Sequence, residues 1–510
     1  MGKRELLAGL AVLAATTLPY LSTLDNPLIW DSHSTVVDDP SIRSIAEIPG
    51  YFLTGSLPAE DGPERVAYWR PIPKALLALQ YAVFGASPAG YHAVSVTLGA
   101  LGVAAAGIAT RVFTRDTTLA LCAALLWGLA PARGEAIAWV YGQSTLLCAL
   151  FMLGGLVAHH RDRPVGAIAA FSGALLCRES AVVLPLLVLV VDWAWGRGAS
   201  LRRAAPTATL VVAWIVARSA VLGAAPPLTE LSATGWLSTA PHVLVAATEA
   251  GFWPRGGVAL HPLVTADAPT VRTALGAVLG TAWVVGAIAL ARSGRRDIAA
   301  WLLWAQIGVL PWLNIGRFAD FLYTEKAMYL PSLGLAAAVA TAGIRAHRIG
   351  LAAVLLLTVG LGLRTTWRTA HWADEETFLA AIVDSTPDYA PPVFLLAVNR
   401  AKSGDLAGAE PLFVRAAELS PRRAASAWLN AGNCRDGLGD GPGAEQAWRQ
   451  ALEHDPALAG ALYNLATNAE RRRDLPDALS LYQRFLAAEP AAPPALRQRV
   501  EALERYLAGQ

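Results

Sequence analysis

The chain has 510 residues, 55% of them hydrophobic and 16% charged, with a formal net charge of +2. Apolar content of that order, gathered in long blocks, excludes an ordinary soluble globular protein and points to membrane helices. The basic residues form short clusters between the apolar blocks, which is a topology signal and excludes a nucleic-acid-binding surface.

Lys3 and Arg4 precede an apolar run at 5–23. Ala15-Thr16-Thr17-Leu18 is a poor cleavage site, so the run reads as an uncleaved first helix that starts in the cytoplasm. Further clusters at Arg111/Arg115, Arg161/Arg163, Arg197/Arg202/Arg203, Arg292/Arg295/Arg296 and Arg345/Arg348 mark cytoplasmic turns. Helices are then expected at 5–23, 90–112, 116–131, 143–159, 164–178, 180–196, 204–222, 270–291, 298–314, 327–344 and 348–364. Eleven crossings place a first loop at 24–71, the turns at 131–142, 223–269 and 315–326, and the C-terminal region on the outer side. Two more apolar stretches, 72–84 and 237–253, are expected as interfacial or re-entrant helices on that side. Cys122, Cys148, Cys177 and Cys434 have no metal-knuckle or disulfide spacing and read as small helix hydrophobes.

Near residue 370 the sequence becomes polar, alanine-rich and periodic. Pro387, Pro421, Pro456 and Pro490 are 34, 35 and 34 residues apart. Ala427-Trp428-Leu429-Asn430-Ala431-Gly432 corresponds to Ala461-Leu462-Tyr463-Asn464-Leu465-Ala466. That period, with small residues at helix crossings, is the tetratricopeptide (TPR) signature. The fold class expected is all-α: a polytopic membrane bundle over 1–370, then a TPR α-solenoid over 371–510 of about three repeats and a capping helix at 494–507. Such solenoids present a concave surface suited to a protein or peptide partner.

Charged residues beside apolar blocks are the candidates for chemistry, because ionised groups in a bilayer are costly and are kept at helix ends or in cavities. Asp31 lies just past the first helix and reads either as a solvated loop carboxylate or as a general base. Arg70, in Tyr68-Trp69-Arg70-Pro71, reads as a membrane anchor or as a grip on a lipid phosphate. Glu135 sits in the turn PARGEAIAWVYGQ. Arg178-Glu179 and Glu325-Lys326 are adjacent opposite charges that either pair locally or line a polar cavity. In the expected topology Asp31, Arg70, Glu135, Arg178, Glu179 and Lys326 all fall on the outer face, which one polar cleft would explain. His33, Asp38 and Asp39 match no specific metal motif beside Asp31, and Asp39-Pro40 reads as a turn. No metal residues are assigned, and a divalent ion is left open.

In order along the chain, WDSHSTVVDDPSIR, YWRPI, LQYAVFGASPAGYHAVSVTLGAL, ARGEAIAWVYGQSTLL, LLCRESAVVLPLLVLVVDW, EKAMYLPSLGL and HWADEETF lead into the TPRs. This series resembles the transmembrane-and-TPR O-mannosyltransferases, members of the GT-C class of polyprenyl-phosphate-sugar-dependent glycosyltransferases. The resemblance implies a GT-C-like bundle and a polyprenyl-phosphate sugar as donor. It implies Asp31 as the base that activates a Ser or Thr hydroxyl, transfer with inversion, and basic residues that stabilise the departing phosphate. Arg70, Arg178 and Lys326 then hold the donor phosphate, and Glu135, Glu179 and Glu325 shape the cleft. The family commonly carries two adjacent acids where this chain has Asp31-Ser32, which opens the alternative of an inert membrane-anchored TPR scaffold. It commonly has Lys-Glu at Arg178-Glu179 and His at Arg133. A composition rich in Ala, Gly and Arg and poor in Lys suggests a high-GC bacterium, hence an inner-membrane protein with a periplasmic TPR domain. In a eukaryote the same topology puts the TPRs in the ER lumen.

Overall fold

A computed structural model describes residues 2–55, 68–196, 198–223, 233–253, 256, 260–262, 269–313 and 321–509. Parts of the expected outer segments, at 56–67, 224–232, 263–268 and 314–320, therefore lie outside the described residues. The chain divides into two compact units, Met1–Asp374 and Glu375–Gln510.

The first unit is a helical bundle, and each of the eleven expected apolar segments holds an α-helix. Among the described residues six helices are long and apolar enough to cross a membrane: Lys3–Asp25, Pro88–Thr114, Val140–His160, Leu201–Leu222, Val271–Arg292 and His347–Trp372. Several others, such as Pro164–Cys177, Leu184–Trp195 and Arg296–Val309, have only 12 to 14 residues. They rise about 18–21 Å, less than the ~30 Å of a hydrocarbon core. Sequence periodicity overstates them because 3₁₀ turns, Glu179–Val183 and Leu310–Leu313, share their apolar runs. The Leu201–Leu222 and Val271–Arg292 helices bury little of their surface and expose Val212, Val216, Val278 and Val284, as lipid-facing helices do. The chain is thus a multi-pass membrane protein.

The segment expected at 72–84 is the helix Pro71–Phe84, whose 14 residues rise about 21 Å, too few to cross. It packs beneath the 3₁₀ turns Pro40–Arg43 and Ile45–Phe52 of the first loop, and Gln80 bonds Gln143 from the Val140–His160 span at 2.8 Å. The segment at 237–253 is the helix Ala233–Phe252, with Pro241, His242 and Glu249 along it. Within this all-α architecture a short antiparallel ribbon, Leu260–Pro262 with Phe321–Thr324, joins two segments read as turns.

A break in one expected span does most to position the site. The stretch at 116–131 is a helix, Thr117–Gly128, opened by an Asp116 cap on the Leu119 amide at 3.0 Å. Pro131 cannot continue it. The chain turns by 63° into Pro131–Ala138, which carries Arg133 and Glu135. Fully buried Arg133 fixes this turn by donating to the carbonyls of Gly128 (2.7 Å) and Gly99 (2.8 Å) and stacking over Trp127 at 4.5 Å. A Cβ on Gly142 would stand 2.5 Å from the Ala136 carbonyl oxygen, so the turn closes tightly only with glycine there.

The second unit is a TPR α-solenoid of antiparallel helices from Glu375–Ser385 to Pro494–Ala508. Its period is written in its caps. Asp405, Asp440 and Asp474 each accept from a backbone amide at the start of a second helix, at 2.9, 2.9 and 3.3 Å. Gly404, Gly439 and Arg473 precede them with positive φ. Ala409, Ala444 and Ala478 are fully buried at the crossings. The final helix covers the last repeat and buries Val500.

Candidate functional site

Asp31 opens a short helical turn, Asp31–His33, directly after Trp30, whose φ of 51° and ψ of −137° are unusual for a residue with a side chain. The conformation is held by stacking: the Trp30 ring lies 5.2 Å from Trp139 at 13°. Trp139 is the first residue past the Pro131–Ala138 turn, and Lys326 Nζ sits 3.7 Å over its ring. A strained backbone beside a candidate catalytic acid is a known accompaniment of active sites. The Asp31 side chain lies near enough to Tyr68, Tyr141 and Lys326 to act on the protonation of each.

Arg70 and Glu179 form a side-on pair, Nη2 to Oε2 at 2.6 Å and Nε to Oε2 at 3.0 Å. Burial alone raises a carboxyl pKa, but the Arg70 guanidinium more than offsets that and holds Glu179 below the ordinary carboxylate value. Arg70 also lies 4.1 Å over the Tyr68 ring.

Glu135 receives Lys326 twice: the backbone amide donates to Oε2 at 2.8 Å and Nζ approaches Oε1 at 3.4 Å. Both side chains are at least nine-tenths buried. Burial pushes the Lys326 amine down to about 8, with Glu135 pulling the other way and Arg178 adding to the fall. Arg178 is held by hydroxyls, Thr145 at 2.9 Å and Ser144 at 3.3 Å, and stands 5.2 Å over Trp312. A cavity of about 30 Å³ between Arg178, Lys326, Thr145 and Trp312 is large enough for water-sized groups. Glu325 turns away to Arg368, its partner in a buried ion pair, and burial raises its carboxyl to about 7.

The six charged residues expected on one face therefore meet in one cluster, built by five separate segments. The local-pairing reading of the adjacent charges is corrected: Arg178 does not pair with Glu179, nor Glu325 with Lys326. Glu325 and Lys326 open a 3₁₀ turn, where successive residues point about 120° apart, and Arg178 is extended backbone just before the 3₁₀ turn that Glu179 opens. Glu325 is drawn to the other side of its turn, away from the Asp31 cluster. Asp39 accepts from the Ser41 amide at 2.8 Å, as its turn requires, and lies 3.6 Å from Lys74; His33 lies 3.4 Å from Asp38. Among the described residues no three His, Cys, Asp or Glu side chains gather as a metal set.

Sequence reasoning missed Trp30, Trp139, Trp312, Thr145 and Arg368. The aromatics had a signal, since Trp and Tyr flank nearly every charged motif of the outer turns. Arg368, far from Glu325 in sequence and inside an apolar helix, had none.

No family model matches the chain. It is 28% identical over 197 residues to "Protein O-mannosyl-transferase Tmtc1" of Drosophila melanogaster, covering 36% of this chain and 23% of that protein. It is 21% identical over 190 residues to "Protein O-mannosyl-transferase F38B6.6" of Caenorhabditis elegans, covering 36% of this chain and 27% of the relative. The chain thus spans about a quarter of the length of these curated relatives. Among solved structures, ArnT from Cupriavidus metallidurans bound to undecaprenyl phosphate aligns over 75% of this chain and 80% of its own, at 18% identity and a TM-score of 0.31. The chain is O-mannosyltransferase-like in sequence, with membrane helices followed by TPRs.

Proposed function

We propose that the chain is an integral-membrane glycosyltransferase that moves a sugar from a polyprenyl-phosphate donor to Ser or Thr hydroxyls of proteins, with mannose as the sugar. The observation that carries this reading is the buried charge cluster beside Asp31, with three cations and two carboxylates at one end of a membrane bundle. Ionised groups are too costly there to be kept without use.

In this mechanism the Asp31 carboxylate accepts the proton of the acceptor hydroxyl. The hydroxyl oxygen bonds to the anomeric carbon from the face opposite the donor phosphate, the carbon–oxygen bond to the phosphate breaks, and configuration inverts. The polyprenyl phosphate leaves with the added negative charge. Arg70, Arg178 and Lys326 meet that charge, and Glu179 and Glu135 fix two of them beforehand, so little reorganisation accompanies the reaction. The Glu179 pair uses the Nε and Nη2 edge of Arg70, so the Nη1 hydrogens remain for a phosphate oxygen. Glu135 and Glu179 shape the cleft as anchors. The TPR unit binds an extended acceptor segment, and the working location is a bacterial inner membrane with the TPRs in the periplasm.

A second reading, an inert TPR scaffold, draws on Ser32, which is buried with no hydrogen-bond partner for its hydroxyl among the described residues, where a second acid is usual. Intact-mass and glycopeptide analysis of envelope proteins separates the two. Hexose on Ser or Thr that disappears when the gene is deleted supports the transferase; an unchanged glycopeptide set supports the scaffold.

A further inference from the structure

A second polar feature lies at the opposite end of the helices. The Arg296–Val309 helix runs from Arg296 to the neighbourhood of the Arg178–Lys326 cavity, where Gly308 lines the wall. Its 14 residues separate the two ends by about 21 Å. At the Arg296 end is a groove of about 370 Å³ between this helix, Val271–Arg292 and Leu184–Trp195. Val284, Ala287 and Ile288 give it an apolar lining, and Arg292, Arg296 and Trp193 also line it.

Neither guanidinium has a carboxylate partner among the described residues. The acid next to Arg296 in sequence, Asp297, binds Arg345 at 2.8 Å, and buried Asp192, next to Trp193 of the groove, binds Arg203 at 3.0 Å and His159 at 3.2 Å. Arg296 stands 5.7 Å over the Trp193 ring, an arrangement that suits a membrane–water boundary. Val284 and Ile288 are each 47% exposed on a helix that faces lipid. The groove therefore offers two unpaired planar donors beside an open apolar wall.

We propose that this groove binds an anionic glycerophospholipid, with its phosphodiester oxygens on Arg292 and Arg296 and an acyl chain along Val284 and Ile288. Arginine forks match phosphate oxygens, and basic pockets between membrane helices are suited to acidic headgroups. The site is separate from the one that takes the donor in the proposed reaction and does not rest on that reaction.

The test is native mass spectrometry of the purified full-length protein titrated with phosphatidylglycerol or with phosphatidylcholine of the same acyl chains. The wild type should retain phosphatidylglycerol preferentially. Arg292→Ala with Arg296→Ala should weaken that retention about 25-fold, roughly fivefold per charge removed, and leave phosphatidylcholine unchanged; the paired Lys substitutions should keep most of it. Ile288→Trp, which fills the groove without touching charge, should also lower retention, and it serves if the Ala pair does not fold. Equal retention of both lipids by the wild type, or full retention by either the Ala pair or Ile288→Trp, overturns the proposal.

Discussion

Lys326 shows how much the proposed chemistry depends on single side chains. It is buried over Trp139 and against Glu135, and burial lowers its amine to about 8. The free protein therefore loses this positive charge as pH rises through that value. If Lys326 meets the donor phosphate, kcat/KM for the donor falls above pH about 8, approaching tenfold per pH unit. A bound phosphate raises the amine again, so kcat holds to a higher pH. Lys326→Arg, charged at every accessible pH, removes the alkaline fall. A pH profile of initial transfer rates checks this, and a wild-type kcat/KM that stays flat from pH 7 to 10 takes Lys326 out of the phosphate site. At this scale the sequence was informative about which residues assemble. Charges beside apolar blocks had to collect on a face, and Asp31, Arg70, Glu135, Arg178 and Lys326 do meet. Who pairs with whom was not legible, because the direction of each side chain is set by 3₁₀ turns that apolar periodicity does not resolve.

The elements carry those side chains through breaks more than through regular helix. The 63° turn at Pro131 brings Glu135 across the end of the bundle, and the Gly142 contact with the Ala136 carbonyl closes it. Gly142→Val drives a branched side chain into backbone, so it should cost about 1–3 kcal/mol of stability and lower transfer, by displacing Glu135 and Trp139. Gly154→Ala, with open space around the added methyl, should leave both unchanged. Thermal unfolding of the two purified variants in detergent checks the contrast, and equal melting temperatures would show that the turn tolerates a side chain. The positions of the long helices were legible because hydropathy bounds them and a basic cluster marks one end of each. The TPR helices were legible because prolines and Ala crossings repeat every 34 or 35 residues. The shorter helices were overstated in length, and the ribbon pairing Leu260–Pro262 with Phe321–Thr324 left no local sequence signal.

At the scale of the whole molecule, the chain joins a charged site in a membrane unit to a solenoid suited to protein segments. Tethering raises the effective concentration of a captured acceptor near the membrane without adding any contact to the reacting groups. Removing the TPR unit after Asp374, the end of the first compact unit, should reduce transfer to protein acceptors much more than transfer to a short Ser/Thr peptide. An equal loss for both assigns the TPRs to folding. In the proposed reaction the Asp31 carboxylate activates the acceptor hydroxyl. Transfer of labelled mannose from a polyprenyl-phosphate donor to a Ser/Thr peptide, measured with purified wild type and Asp31→Asn side by side, tests this role. The substitution is nearly isosteric, so the two proteins should elute alike and hold donor alike. The variant should be slower by about 10²–10⁴, the usual loss on removing a general base. Equal rates for the two proteins would remove Asp31 as the base, and no transfer by the wild type from any polyprenyl-phosphate sugar would leave the chain an inert scaffold.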